Sequence, residues 1–172
     1  MKGVSGMRAF PRPVFYLLAL GLFALDQATK AWAASALGPS LSPEGVFHRT
    51  VLVVPGFFNL SFAANTGIAF SLLRGGNQWV LAVTALGLVA AVAAIWRFRP
   101  LDWAPLGTNV AAAMIAAGAC GNLVDRAVRG YVVDFLDFYW GTAHYPTFNV
   151  ADSCIVLAVL WLVWRGLVSR PA

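Results

Sequence analysis

The chain has 172 residues, 60% hydrophobic and 11% charged, with a formal net charge of +5 and a mean hydropathy of +0.74. Soluble domains carry about 45–50% apolar and about 25% charged residues, so this composition excludes an ordinary soluble fold and implies a single integral membrane domain. The small positive charge, without a basic cluster, reads as membrane orientation, and no nucleic-acid partner is expected.

A helix needs roughly 20 apolar residues to cross the hydrocarbon core. Four segments meet or approach that length, at about 14–37, 79–96, 104–126 and 148–164. The fold class expected is therefore an all-α membrane protein with four transmembrane helices. The first segment also resembles a cleavable signal peptide, because Lys2, Arg8 and Arg12 precede its apolar core and Ala33 to Ala36 follow it. Three further spans and a recurring polar face favour a retained helix.

Between the first two spans, Val46–Val54 and Phe57–Phe62 are rich in β-branched and aromatic residues, and Pro55-Gly56 separates them. This predicts a small extracytoplasmic β-hairpin or sheet on the membrane surface, with Phe57, Phe58 and Phe62 at headgroup depth. The sequon Asn59-Leu60-Ser61 is too short a match to carry weight. Basic residues decide the orientation. Lys2, Arg8 and Arg12, then Arg97 and Arg99, then Arg165 and Arg170 fall on one side of an even number of spans, so both termini are expected in the cytoplasm.

Ionisable residues inside spans are expensive, at roughly 2.5–3.5 kcal/mol each near a helix centre. Asp26 and Lys30 are four apart on one helical face. Asn122, Asp125 and Arg126 end the third span, and Asn149 and Asp152 begin the fourth. All lie at similar depth, near the outer interface. One reading is structural: Asp26 with Lys30, and Asp125 with Arg126, as ion pairs that lock the bundle. Asp152 has no basic residue within a helical turn and sits where a helix start favours a carboxylate. Asp134 falls in the second outer loop, in Val132-Val133-Asp134-Phe135, a context in which backbone N–H groups more often satisfy the carboxylate.

Cys120 and Cys154 lie in apolar runs and read as small buried hydrophobes. His48 and His144 lack companions at metal spacing, so no metal and no cofactor is expected. Gly3-Val4-Ser5-Gly6 imitates a serine-protease fragment without a partner histidine. Two non-proteolytic readings stay open on pattern alone: a proton- or cation-coupled transporter component using Asp26, Asp125 and Asp152, and a non-catalytic assembly factor.

Four segments taken together resemble the lipoprotein signal peptidase (signal peptidase II) family. They are Asp26-Gln27-Ala28-Thr29-Lys30; Asn65-Thr66-Gly67-Ile68-Ala69-Phe70-Ser71; Gly121-Asn122-Leu123-Val124-Asp125-Arg126 continuing to Val132-Val133-Asp134-Phe135; and Phe148-Asn149-Val150-Ala151-Asp152-Ser153. The resemblance covers about Leu25 to Trp164, with Ile68 where the family pattern expects alanine. It implies a monomeric membrane aspartic endopeptidase of the bacterial inner membrane, acting at the outer face. Its substrates would be prolipoproteins already carrying a diacylglyceryl group, cut before the lipid-bearing cysteine, with membrane lipids as the other partners. The implied catalytic pair is Asp134 and Asp152, with Asp125 as the rival partner. Asp26, Lys30, Asn65, Gly67, Asn122, Asp125, Arg126 and Asn149 are implied to bind substrate or support the pair. Gly118, Ala119 and Gly121 would let the substrate's own helix approach closely.

Overall fold

The structure, a computed structural model, describes residues 12–42, 45–47, 49–66, 86 and 106–168. The second expected span, about 79–96, lies outside the described residues apart from Leu86, as do Gly67, Ile68 and the basic residues of both the N-terminal segment before Arg12 and the 97–99 region. Three helices among the described residues are long and apolar enough to cross a membrane: α1 (Arg12–Ala36), α2 (Leu106–Arg129) and α3 (Val150–Val168). Two β-sheets sit at one end of this bundle. A two-stranded ribbon pairs β1 (Ser40–Ser42) with β2 (Gly45–Phe47). A four-stranded antiparallel sheet runs in the order β3 (Thr50–Val54), β4 (Phe58–Asn65), β5 (Val132–Trp140) and β6 (Ala143–His144).

The helices differ in what surrounds them. Within the 18-residue apolar stretch of each helix, 56% of the residues are buried inside the protein in α2, against 17% in α1 and in α3, so α2 is the central helix among those described. The alanines and glycines of α2 explain this position, because small side chains let neighbouring backbones come close. A Cβ on Gly118 would stand 2.5 Å from the Ala151 carbonyl oxygen of α3, and one on Gly121 would collide with the Asp26 carboxylate of α1. The small residues expected to admit a substrate helix therefore serve the protein's own helix contacts. The outward faces of α1 and α3 expose Leu17, Leu20, Leu157, Leu160, Trp164 and other large apolar side chains, as a lipid-facing surface requires.

The expected hairpin is present with altered boundaries. The segment 46–54 is divided, its first part in β2 and its second in β3, and the following strand runs past Phe62 to Asn65. The residues containing Asp134 form a strand rather than a loop. Val132 to Trp140 is a nine-residue run rich in β-branched and aromatic residues, a strand composition legible in the sequence. Burial of Ala33 and Leu37 of α1 against Val133 and Phe135 of β5 fastens the sheet to the bundle. Since strand side chains alternate, Asp134 faces the side opposite Val133 and Phe135.

The third helix segment extends past residue 126 to Arg129 and ends at Gly130, whose φ of 78° and N–H bond to the Arg126 carbonyl at 3.1 Å make a left-handed cap. The last helix begins at Val150, two residues later than expected, because Phe148 pairs with Leu136 of β5. Cys120 and Cys154 are free, and Cys154 is buried.

Candidate active site

The start of α3 is built by its first four residues. Asn149 caps the helix: its Oδ1 accepts the Asp152 N–H at 2.9 Å, while Asp152 Oδ2 accepts the Asn149 N–H at 3.3 Å. This reciprocal pair is a capping box with an aspartate in its third helical position, and it fixes the Asp152 side chain against its own helix end. A further orphan donor, the Ala151 N–H, bonds Asp26 Oδ1 of α1 at 2.9 Å.

Asp26 and Lys30 share a face as their spacing requires, and their ion pair is 2.9 Å long. Lys30 is wholly buried and also pairs with Asp125 Oδ2 at 3.0 Å and donates to Asn122 Oδ1 at 2.8 Å. Asp125 in turn pairs with Arg129 and accepts the Val133 N–H at 3.2 Å. Beside the neighbouring charge of Arg126, Asp125 thus has ion-pair partners one helical turn on and on another helix. Arg129, four residues after Asp125, was recoverable from the sequence by helical spacing. Gln27 was not assigned either, and its amide reaches Asp26 Oδ2 at 3.1 Å and the Gly121 carbonyl at 3.2 Å.

Two carboxylates converge beside this cluster. Asp134 projects from β5, with Oδ1 accepting the Asn149 amide at 2.7 Å and Oδ2 accepting the Asn65 amide at 2.9 Å. Asp152 Oδ1 accepts the Asn122 amide at 2.8 Å. The Asn149 side chain donates to the Asp134 carboxylate and accepts the Asp152 backbone N–H, while the Asn149 backbone N–H bonds the Asp152 carboxylate, so this one residue links the two acids. Burial, followed by the negative charge of Asp152, pushes the Asp134 carboxyl up to about 7, although bonds from Asn65 and Asn149 and the charge of Lys30 oppose the rise.

A cleft of about 560 Å³ opens beside the pair. Asn65, Asn122, Arg126 and Asp152 lie in its wall, and Val132, Ile155 and Val156 are among the residues that make the rest largely apolar. Of the residues singled out from the sequence, Asp26, Lys30, Asn65, Asn122, Asp125, Arg126, Asp134, Asn149 and Asp152 all gather at the sheet end of the bundle; Gly67 lies outside the described residues. Phe57 and Phe58 pack on Phe138, and Phe62 packs on Tyr131. No cluster of metal-ligating side chains occurs among the described residues. His144 instead contacts Asp137 at 2.7 Å.

Comparison with known proteins accords with this architecture. The family described as "Signal peptidase (SPase) II" matches residues 18–168. A lipoprotein signal peptidase of Shewanella oneidensis is 35% identical, over 98% of this chain and 91% of its own length. That of Shewanella amazonensis is 36% identical, over 92% of this chain and 86% of its own. A solved structure described as a bacterial membrane enzyme, determined at 1.9 Å, matches with a TM-score of 0.77 at 25% identity, covering 96% of this chain and 99% of that one. A second, determined at 2.3 Å, shares the fold with a TM-score of 0.76. The chain is therefore a multi-pass membrane protease and belongs to the signal peptidase II family.

Proposed function

We propose that this protein removes the signal peptide from diacylglyceryl-modified prolipoproteins, cutting before the lipidated cysteine with Asp134 and Asp152 as its catalytic pair. The observation that carries the reading is the linkage, through Asn149, of buried Asp134 to half-buried Asp152, which lies in the wall of a largely apolar cleft. Such a cleft suits an apolar signal segment and acyl chains, and the scissile bond would come to the polar end of it.

Two carboxylates in close quarters do not both ionise, so the pair shares one proton. The ionised acid takes a proton from water as the water oxygen attacks the peptide carbonyl carbon. The protonated acid gives its proton to the carbonyl oxygen. Collapse of the tetrahedral intermediate breaks the C–N bond as the leaving amine takes up the proton held by the base, while a hydroxyl of the intermediate returns its proton to the other acid and the pair again holds one proton. Asn65, Asn122 and Asn149 orient the acids, and Arg126 at the cleft wall holds substrate backbone. Asp125, enclosed by Lys30, Arg129 and a backbone N–H, is a structural acid in this scheme.

The membrane placement follows the same reading: four spans, the bacterial inner membrane, both termini cytoplasmic, the active site at the outer face, and a monomer working on its own. The sheet, with exposed Val51, Leu52, Val53, Val54 and Phe57, rests on the lipid surface. Among the described residues, the buried acids and Lys30 lie at the sheet end, which favours a surface-facing site over a transport path.

The test is cleavage of a purified lipid-modified lipobox substrate. Asp134→Asn and Asp152→Asn should each lose about 100- to 10,000-fold in turnover while remaining folded. Normal turnover in either variant removes the pair assignment. Loss in Asp125→Asn alone transfers the role to Asp125.

A further inference from the structure

The proposed catalysis leaves open which acid is ionised at rest, and the hydrogen-bond directions around Asn122 bear on that. Asn122 Oδ1 accepts from Lys30 Nζ at 2.8 Å and from Asn149 Nδ2 at 3.3 Å. Turning the amide over would set its NH₂ against an ammonium and another NH₂, and its oxygen against the Asp152 carboxylate. All three bonds would be lost in a site where Lys30 and Asn149 are wholly buried. These partners favour the orientation in which the amide presents Nδ2 to Asp152 Oδ1.

The other Asp152 oxygen faces the Asn149 backbone N–H, a donor that cannot rotate away. Asp152 also stands in the first turn of α3, where the helix N-terminus favours an anion. Asp134 is carried by a strand and has no such field. Its Oδ1 meets the Asn149 amide, which is itself held by the Asp152 N–H. Its Oδ2 accepts from Asn65, and a carboxylic acid oxygen can keep that bond while carrying a proton.

We propose that Lys30 is a positioning residue: through the Asn122 amide it holds an N–H on Asp152, making Asp152 the ionised general base and Asp134 the holder of the shared proton. The inference rests on the protease reading for its consequence and for its kinetic test, but not for the test of where the proton sits. The charged groups facing Asp152 are Asp134 from β5, Arg126 from α2, and Asp26 and Lys30 from α1. Lys30 acts from within the core without touching substrate.

Infrared spectroscopy of the protein in lipid nanodiscs reads the proton directly, through the C=O stretch of a protonated carboxyl. At about pH 5, wild type should show this band, Asp134→Asn should lose it, and Asp152→Asn should keep it. Loss in Asp152→Asn with retention in Asp134→Asn, or equal partial loss in both, overturns the assignment. This measurement does not depend on proteolysis.

Kinetics on the lipid-modified substrate tests the Lys30–Asn122 link. In Asn122→Leu, kcat should fall about 10- to 100-fold with KM within about twofold, and the acid limb of the kcat profile should move up by about one pH unit. Asn65→Ala should move the alkaline limb and leave the acid limb in place. A fall in kcat with both limbs unmoved, or the two variants moving the opposite limbs, overturns the proposal. An inactive wild type would instead defeat the protease reading and leave the infrared result to decide the proton's place.

Discussion

Asn149 and Asp152 close the first turn of α3 around each other, each accepting the other's backbone N–H. The same Asn149 side chain donates to Asp134, so a helix cap is also the bridge between two acids on different elements. Capping and bridging use different atoms of one amide and can be separated by substitution. Asn149→Ser keeps an oxygen for the cap but removes the donor to Asp134. Its thermal stability should stay within about 1 kcal/mol of wild type, while turnover falls at least about tenfold. Asn149→Ala should lose both. Equal turnover in Asn149→Ser and wild type, measured with the lipid-modified substrate, would dismiss the bridge.

Asp134 makes both activity and stability depend on pH. Its folded carboxyl titrates near 7, whereas an unfolded aspartate titrates near about 3.9. Between those values the folded state binds more protons than the unfolded state, so this group's contribution to stability declines as pH rises through that window. Wild type should lose thermal stability between pH 5 and pH 8, by about 1 kcal/mol or more, and Asp134→Asn should lose less. Turnover should decline above about pH 7 as the shared proton leaves. Thermal scans and rate profiles that are flat across this range would contradict the assignment.

Lys30 is the hub of a buried charge cluster. Lys30→Met leaves Asp26 and Asp125 without their common cation in a dry site, which costs about 3–5 kcal/mol. The expected outcome is loss of folded protein in detergent, seen as aggregation on size exclusion. Adding Asp125→Asn to Lys30→Met removes one orphaned charge and should recover part of that loss. A Lys30→Met variant with wild-type melting behaviour would show that the cluster does not hold the helices together.

Close approach of α2 to its neighbours depends on two glycines. Gly118→Ala would place its Cβ on backbone of α3, which cannot yield as a side-chain end can, and should destabilise by about 1–3 kcal/mol. Gly121→Ala would press on Asp26, the acid that bonds both Lys30 and the Ala151 N–H. It should reduce turnover as well as stability, because the start of α3 would shift. Thermal melts of both variants, with turnover measured at a temperature where each is folded, check this.

Much of the scaffold was legible because it depends on neighbours along the chain. Hydrophobic length marked the apolar helices α1, α2 and α3, and helical spacing put Asp26 with Lys30 and Asn149 with Asp152 on common faces. Pro55-Gly56 between β-branched runs marked the β3–β4 turn. The β5 strand was missed, although its run of β-branched and aromatic residues was readable, because an aspartate among apolar residues also suits a loop.

Partner choice depended on distant contacts. Asn65 meets Asp134 across 69 residues of chain, and the pairing of β4 with β5 that brings them together leaves no local trace. Asp125 stands beside Arg126 in sequence, yet its ion pairs are with Lys30 and Arg129, because the rotation of α2 is decided by where Gly118 and Gly121 admit α3 and α1. The sequence by itself determined the membrane-spanning helices and the polar faces they carry, since periodicity is a property of neighbouring residues. Which acid receives which hydrogen bond was decided only by the tertiary structure, since hydrogen-bond distances between elements depend on how whole helices and strands pack.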